Sequence, residues 1–238
     1  DCNSKPQLVN VDAEKQLLCS KKDNHTNNEW MYQYQHAPLF LDRYEAIDAL
    51  AKGYEGNSEE AKIIIRALDD KSPSIRALAL RNIGAAAKAD STVKSKLQQM
   101  VTNDAKAHVR ESALSTLYKY FDDSSLDNIA INDSSYNVMT TALEHYINKN
   151  PKQLSTLKKY EYDINNNLLY TLSGLYAQYG SDENYDYMLK ALNKASGFGK
   201  MGIIQNLGIF LEHSSPVVTE KGVDALTDAA KNSNSKFV

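Results

Sequence analysis

The chain has 238 residues, 42% of them hydrophobic and 24% charged, which is too apolar for disorder and long enough for one large domain or a string of repeats. Its formal net charge of -3, with acids and bases intermixed, provides no basic stripe for phosphates and argues against a nucleic-acid partner. The longest apolar runs fall far short of the roughly 20 residues that span a bilayer, so no membrane span is expected.

The first stretch differs from the rest. Pro6-Gln7-Leu8-Val9-Asn10-Val11 and Gln16-Leu17-Leu18-Cys19 flank the polar Asp12-Ala13-Glu14-Lys15, which predicts a short β-hairpin. Such a hairpin is marginal alone, so it reads as the closing strands of a β domain lying upstream. Beginning at Asp1, without Met or an apolar signal segment, the sequence reads as a mature product or a piece of something longer. Cys2 and Cys19 have no metal-ligand neighbours, and a bridge between them stays open. Residues 21–28 are polar and Asn-rich, as suits a linker.

From Thr26 onward the pattern is helical. Thr26 caps a first helix with Glu29 at the capping-box position, and Pro38 opens a second that stops at Gly53. Ser58 caps a helix carrying Ala61, Ile64, Ile65 and Leu68. After the turn Asp70-Lys71-Ser72-Pro73, apolar residues at 75, 79, 83 and 86 predict one helix over residues 74–87. Further pairs are expected at 91–101 with 107–121, then at 151–160 with 165–179, and at 183–194 with 200–213. Between the first two of these, Val138, Ala142, Leu143 and Tyr146 repeat the apolar pattern. Pro216 starts a closing helix, followed by a polar tail from Asn232.

Three stretches align on one another without a gap: residues 42–50, 75–83 and 109–117. Each places an aliphatic three residues after a conserved-in-register Ala and Leu or Ile, and Arg43, Arg76 and Arg110 stand three residues before Ala46, Ala79 and Ala113. Ala142 holds the same place in the fourth unit, where Met139 replaces the Arg. Asp70 and Asp104 each precede the following Arg by six residues. Self-similarity at a period of roughly 30–45 residues marks stacked helix pairs, none of which buries its apolar face alone. The expected fold is therefore all-α: a HEAT/armadillo-like superhelix, or solenoid, of about six pairs. Asp70, Arg76, Asp104, Arg110 and Arg43 read as a structural ladder, because a ladder recurs at the repeat period and a site occurs once. The four alanines read as helix-crossing positions where a small residue admits a close neighbour.

Chemistry is hard to find. No two of the histidines (His25, His36, His108, His145, His213) are four apart, and His-Glu-x-x-His is absent. Glu144-His145 lacks a second ligand, which leaves His145 as a surface imidazole. Gly197-Phe198-Gly199-Lys200-Met201-Gly202 lacks phosphate-loop spacing and reads as a helix start. No nucleophile and base are arranged around either cysteine. The fifteen tyrosines crowd the later pairs, where they suit packing between repeats or a surface facing another domain.

The junction from Leu8 to Ala46 carries a resemblance. The hairpin with Pro6 to Asp12 and Leu17-Leu18, then Gln33-Tyr34-Gln35-His36-Ala37-Pro38-Leu39-Phe40-Leu41-Asp42-Arg43-Tyr44-Glu45-Ala46, resembles the carboxy-terminal part of bacterial aminopeptidase N-type zinc metallopeptidases. The resemblance implies that residues 1–25 close an upstream β-sandwich and that residues 26–238 form a HEAT-repeat domain. It implies no catalytic residue and no metal ligand here, since the family's zinc and substrate-amine motifs have no counterpart. Zinc is expected in the upstream catalytic domain, against which this part packs and whose access to peptide substrates it limits. Exported relatives imply a periplasmic or secreted parent. The rival expectation is a free-standing HEAT scaffold that grips a protein partner in its concave groove.

Overall fold

The computed structural model describes residues 4–18 and 21–231, and among them there are helices, turns and loops but no strand. The protein is all-α. Cys2, Cys19 and the tail from Asn232 lie outside the described residues. The chain divides into two compact units, Asp1–Leu126 and Asp127–Val238.

In the first unit the expected turn is present: the Lys15 amide donates to the Asp12 carbonyl at 2.9 Å, and both residues take positive φ. The strands expected on either side of it are not found among the described residues. Val9, Val11, Leu17 and Leu18 stay exposed, so there is no apolar face to repay strand pairing. Asp12 instead draws the Gln16 and Leu17 amides onto its own carboxylate. Polar contacts hold this arm: Asn10 Nδ2 donates to Asp42 Oδ1 at 3.0 Å, and Lys15 bridges Asp42 and Glu45 at 2.8 and 2.9 Å.

Seven α-helices follow among the described residues: α1 (Asn27–His36), α2 (Phe40–Leu50), α3 (Glu59–Arg66), α4 (Pro73–Asn82), α5 (Gly84–Ala89), α6 (Thr92–Asn103) and α7 (Ala107–Phe121). The Thr26–Glu29 capping box forms, and the Ser58 hydroxyl accepts from the Ala61 amide. Helix α2 begins two residues after Pro38, with Leu39 as an uncapped start. The single helix expected over residues 74–87 is broken at Ile83. There the Tyr54 hydroxyl donates to the Asn82 carbonyl at 2.7 Å, and a Cβ on Gly84 would lie 2.5 Å from the Tyr120 hydroxyl. A hydroxyl inserted at a helix carbonyl and a residue without Cβ are the ordinary causes of such a kink. Helices α2, α4 and α7 pack in succession, with α3 and α6 against them. Ile75, Ala79, Ile83 and Ala86 are all fully buried, so the apolar period survives the break.

The second unit holds α8 (Asp127–Ala130), α9 (Tyr136–Lys149), α10 (Asn166–Tyr179), α11 (Tyr185–Lys194), α12 (Gly197–Leu211) and α13 (Pro216–Lys231). Residues Pro151–Tyr160 are 3₁₀ rather than α-helical, and Leu157 is the only one of them buried. With so little to pack, the tighter turn is not outcompeted. Helix α10 packs on α9, α11 and α12, and α13 closes against α12 and α11. Its core is Leu168, Leu169, Leu172, Tyr176, Met188, Ile203, Leu207 and Phe210. No helix among the described residues is long and apolar enough to cross a membrane.

Candidate functional site

Arg43, Asp70, Arg76, Asp104 and Arg110 form one connected chain of hydrogen bonds. Arg43 Nε and Nη2 fork onto the Asp70 carboxylate at 3.0 and 3.3 Å, while Nη1 donates to the Pro38 carbonyl at 2.8 Å. One repeat later Arg76 makes the same fork onto Asp104 at 2.7 and 2.8 Å, and its Nη1 donates to the Asp70 carbonyl at 2.8 Å. Arg110 Nη1 donates to the Asp104 carbonyl at 2.9 Å. Arg43 and Arg76 each tie the turn before their own helix to the turn one unit on, with the bidentate geometry for which Arg is suited. Burial alone would raise the Asp104 pKa, but the Arg76 guanidinium and the Lys106 amide outweigh it and hold the carboxyl below its ordinary range.

The same turn continues where the Arg does not. Asp70, Asp104, Asp133 and Asp163 each stand five residues before a buried aliphatic: Ile75, Val109, Val138 and Leu168. Each also accepts the amide two residues on, from Ser72, Lys106, Ser135 and Asn165 at 2.7–2.9 Å. At Asp163 the second partner is the Tyr136 hydroxyl at 2.5 Å, one turn before Met139. Asp133, Asp163 and Tyr136 were not expected from sequence. The signal was available in the five-residue offset, which holds across all four turns although the Arg is lost. Ala46, Ala79, Ala113 and Ala142 all have zero solvent exposure.

Other singled-out residues separate by burial. His145 is not a surface imidazole: its Nδ1 lies 3.3 Å from Asp127, with both side chains largely buried. Tyr176 and Tyr187 pack edge to face at 5.3 Å in the core, and the Tyr176 hydroxyl donates to Glu161 at 2.6 Å, whereas Tyr162 and Tyr170 are exposed. Gly197 starts α12 with φ +57°. Among the described residues no three of His, Cys, Asp and Glu are grouped to hold a metal ion.

A polar seam runs across α9 and α10 in the second unit. Asn167 Nδ2 donates to Asn137 Oδ1 at 2.6 Å, the Thr171 hydroxyl to Glu144 Oε1 at 3.0 Å, and the Tyr179 hydroxyl to Asn148 Oδ1 at 3.0 Å. On α12, Asn206 donates to Ser173 Oγ at 2.9 Å and the Tyr170 carbonyl at 3.3 Å. Between them lies a cavity of about 190 Å³ lined by Glu144, Asn148, Tyr170, Thr171, Gln178 and Asn206. Desolvation raises the Glu144 pKa, and its bond to Thr171 offsets this only in part.

No protein-family model matches this chain, and no curated protein matches it either. The geometry therefore carries the functional reading. A carboxylate, amides and an aromatic side chain at one groove can bind polar or cationic groups, while the Asp–Arg bonds link successive inter-helix turns.

Proposed function

We propose that this chain is a non-catalytic, HEAT-like helical-repeat module, the carboxy-terminal domain of an aminopeptidase N-type zinc metallopeptidase. In that role it packs on the upstream catalytic domain and limits which peptides reach the active site. The observation that carries the repeat reading is the recurring fork, Arg43 on Asp70 and then Arg76 on Asp104, at offsets of 27 and 28 residues. A fork repeated in register supports units that stack on one another through like interfaces. The peptidase reading rests on the likeness of residues 8–46. It gains support from Asn10 and Lys15 holding the arm on Asp42 and Glu45, so that the junction is fastened to the second helix. Zinc in this reading belongs to the upstream domain, together with the peptide-cleaving residues.

Two measurements test it. Purified residues 1–238, supplied with zinc, should not hydrolyse aminoacyl anilides; turnover above a heat-killed control would overturn the non-catalytic assignment. The coding frame upstream of Asp1 should contain His-Glu-x-x-His within a thermolysin-like domain. A start codon or signal peptide immediately before Asp1 would instead favour a free-standing adaptor.

A further inference from the structure

We propose that the groove across α9, α10 and α12 is a docking pocket for one arginine side chain of an extended peptide segment. Its volume, about 190 Å³, lies below the ~300–1,000 Å³ of small-molecule sites and suits a single long side chain. At one wall stands Glu144. One of its oxygens takes the Thr171 hydroxyl, and burial together with that bond, with no charged neighbour, accounts for its shifted pKa. Glu144 as a residue is exposed, yet its carboxyl is desolvated enough for its pKa to rise, which is the condition of a carboxylate that gains from a charged partner.

The neighbours make the partner specific. Asn206 commits its amide nitrogen to Ser173 and Tyr170, so the group it has left for a ligand is an acceptor, Oδ1. Tyr170 is 49% exposed as a residue, and its ring lies against α12 at Gly202, where a Cβ would come to 2.5 Å from it. A carboxylate oxygen, an amide carbonyl and an aromatic face match the planar donors and stacking surface of a guanidinium better than the compact ammonium of lysine. Asn148 has its oxygen occupied by Tyr179 and offers N–H, and Gln178 offers both donor and acceptor, which are the groups an extended main chain needs. The pocket lies wholly within the second unit and does not depend on the chain being part of a peptidase.

The test is amide-resonance mapping on the deuterated, ¹⁵N-labelled full chain, titrated with acetyl-Ala-Ala-Arg-Ala-Ala-amide. Its citrulline and lysine counterparts serve as neutral isostere and alternative cation. Saturable shifts confined to residues around 144–148, 170–178 and 206 are expected, about tenfold weaker with citrulline and several-fold weaker with lysine. Glu144→Gln should weaken the arginine peptide about tenfold without lowering the thermal midpoint, and Tyr170→Leu by a few-fold. Equal binding of arginine and citrulline, shifts located elsewhere, or an unaffected Glu144→Gln variant would each overturn the pocket. Lysine binding as tightly as arginine would overturn the guanidinium assignment.

Discussion

Arg76 and Asp104 show how much one side chain is asked to do. The carboxylate is nearly buried, and the guanidinium meets it with two parallel N–H bonds while a third reaches the Asp70 carbonyl. Arg76→Met would leave Asp104 with the Lys106 amide alone, at an expected cost of about 2–3 kcal/mol in a urea titration. The exposed Lys62–Glu59 pair should by contrast contribute under about 0.5 kcal/mol. Asp123 extends the point to pH. Burial would raise its pKa, but the Ser125 amide and hydroxyl, Lys94 and Gln98 together bring it down to about 2. A depressed folded pKa stabilises above the unfolded value near 4 and is lost as pH falls through about 2. The urea midpoint should therefore drop between about pH 4 and 2, and Asp123→Asn should flatten that slope. At this scale the sequence was legible wherever a residue recurs: Asp70, Arg76, Asp104 and Arg110 follow from register alone. Tyr136 was not, because a phenol replacing a guanidinium from a different turn leaves no repeated letter.

The helices repeat the lesson with packing in place of charge. Ala113 has no exposure, and Ala113→Leu should overpack the crossing and cost about 1–3 kcal/mol, read as a lowered thermal midpoint. An unchanged melt would mean that the register is wrong. Two glycines in one loop offer a paired comparison. A Cβ on Gly56 would meet the Ala85 carbonyl oxygen at 2.5 Å and Ala89 Cβ at 2.7 Å, whereas one on Gly53 meets nothing within 4 Å. Gly56→Ala is thus expected to cost about 2 kcal/mol as backbone shifts to make room, and Gly53→Ala to be neutral or slightly stabilising. Helix α7 was readable to its ends because its apolar period, Val109, Ala113, Leu114 and Leu117, is unbroken and fully buried. The kink at Ile83 was not. It depends on Tyr54, which lies 28 residues before Asn82 and leaves no mark on the local pattern.

Within each unit the main contacts join helices that are near neighbours in sequence. Low contact order of this kind predicts a dominant refolding phase of about milliseconds to tens of milliseconds by stopped-flow circular dichroism. A dominant phase of seconds would contradict it. The all-α class was legible from the 3.6-residue period, while the strands expected in the amino-terminal arm are not formed among the described residues, because alternation alone does not say whether an apolar face exists to bury. One consequence follows from the direction of the forks, each reaching forward to the next turn. Excising residues 70–103 would bring Asp104 to the place Asp70 held, so Arg43 would still find a carboxylate. Excising half that length would strand it. The two forks therefore tolerate a change of chain length only in whole steps of that spacing.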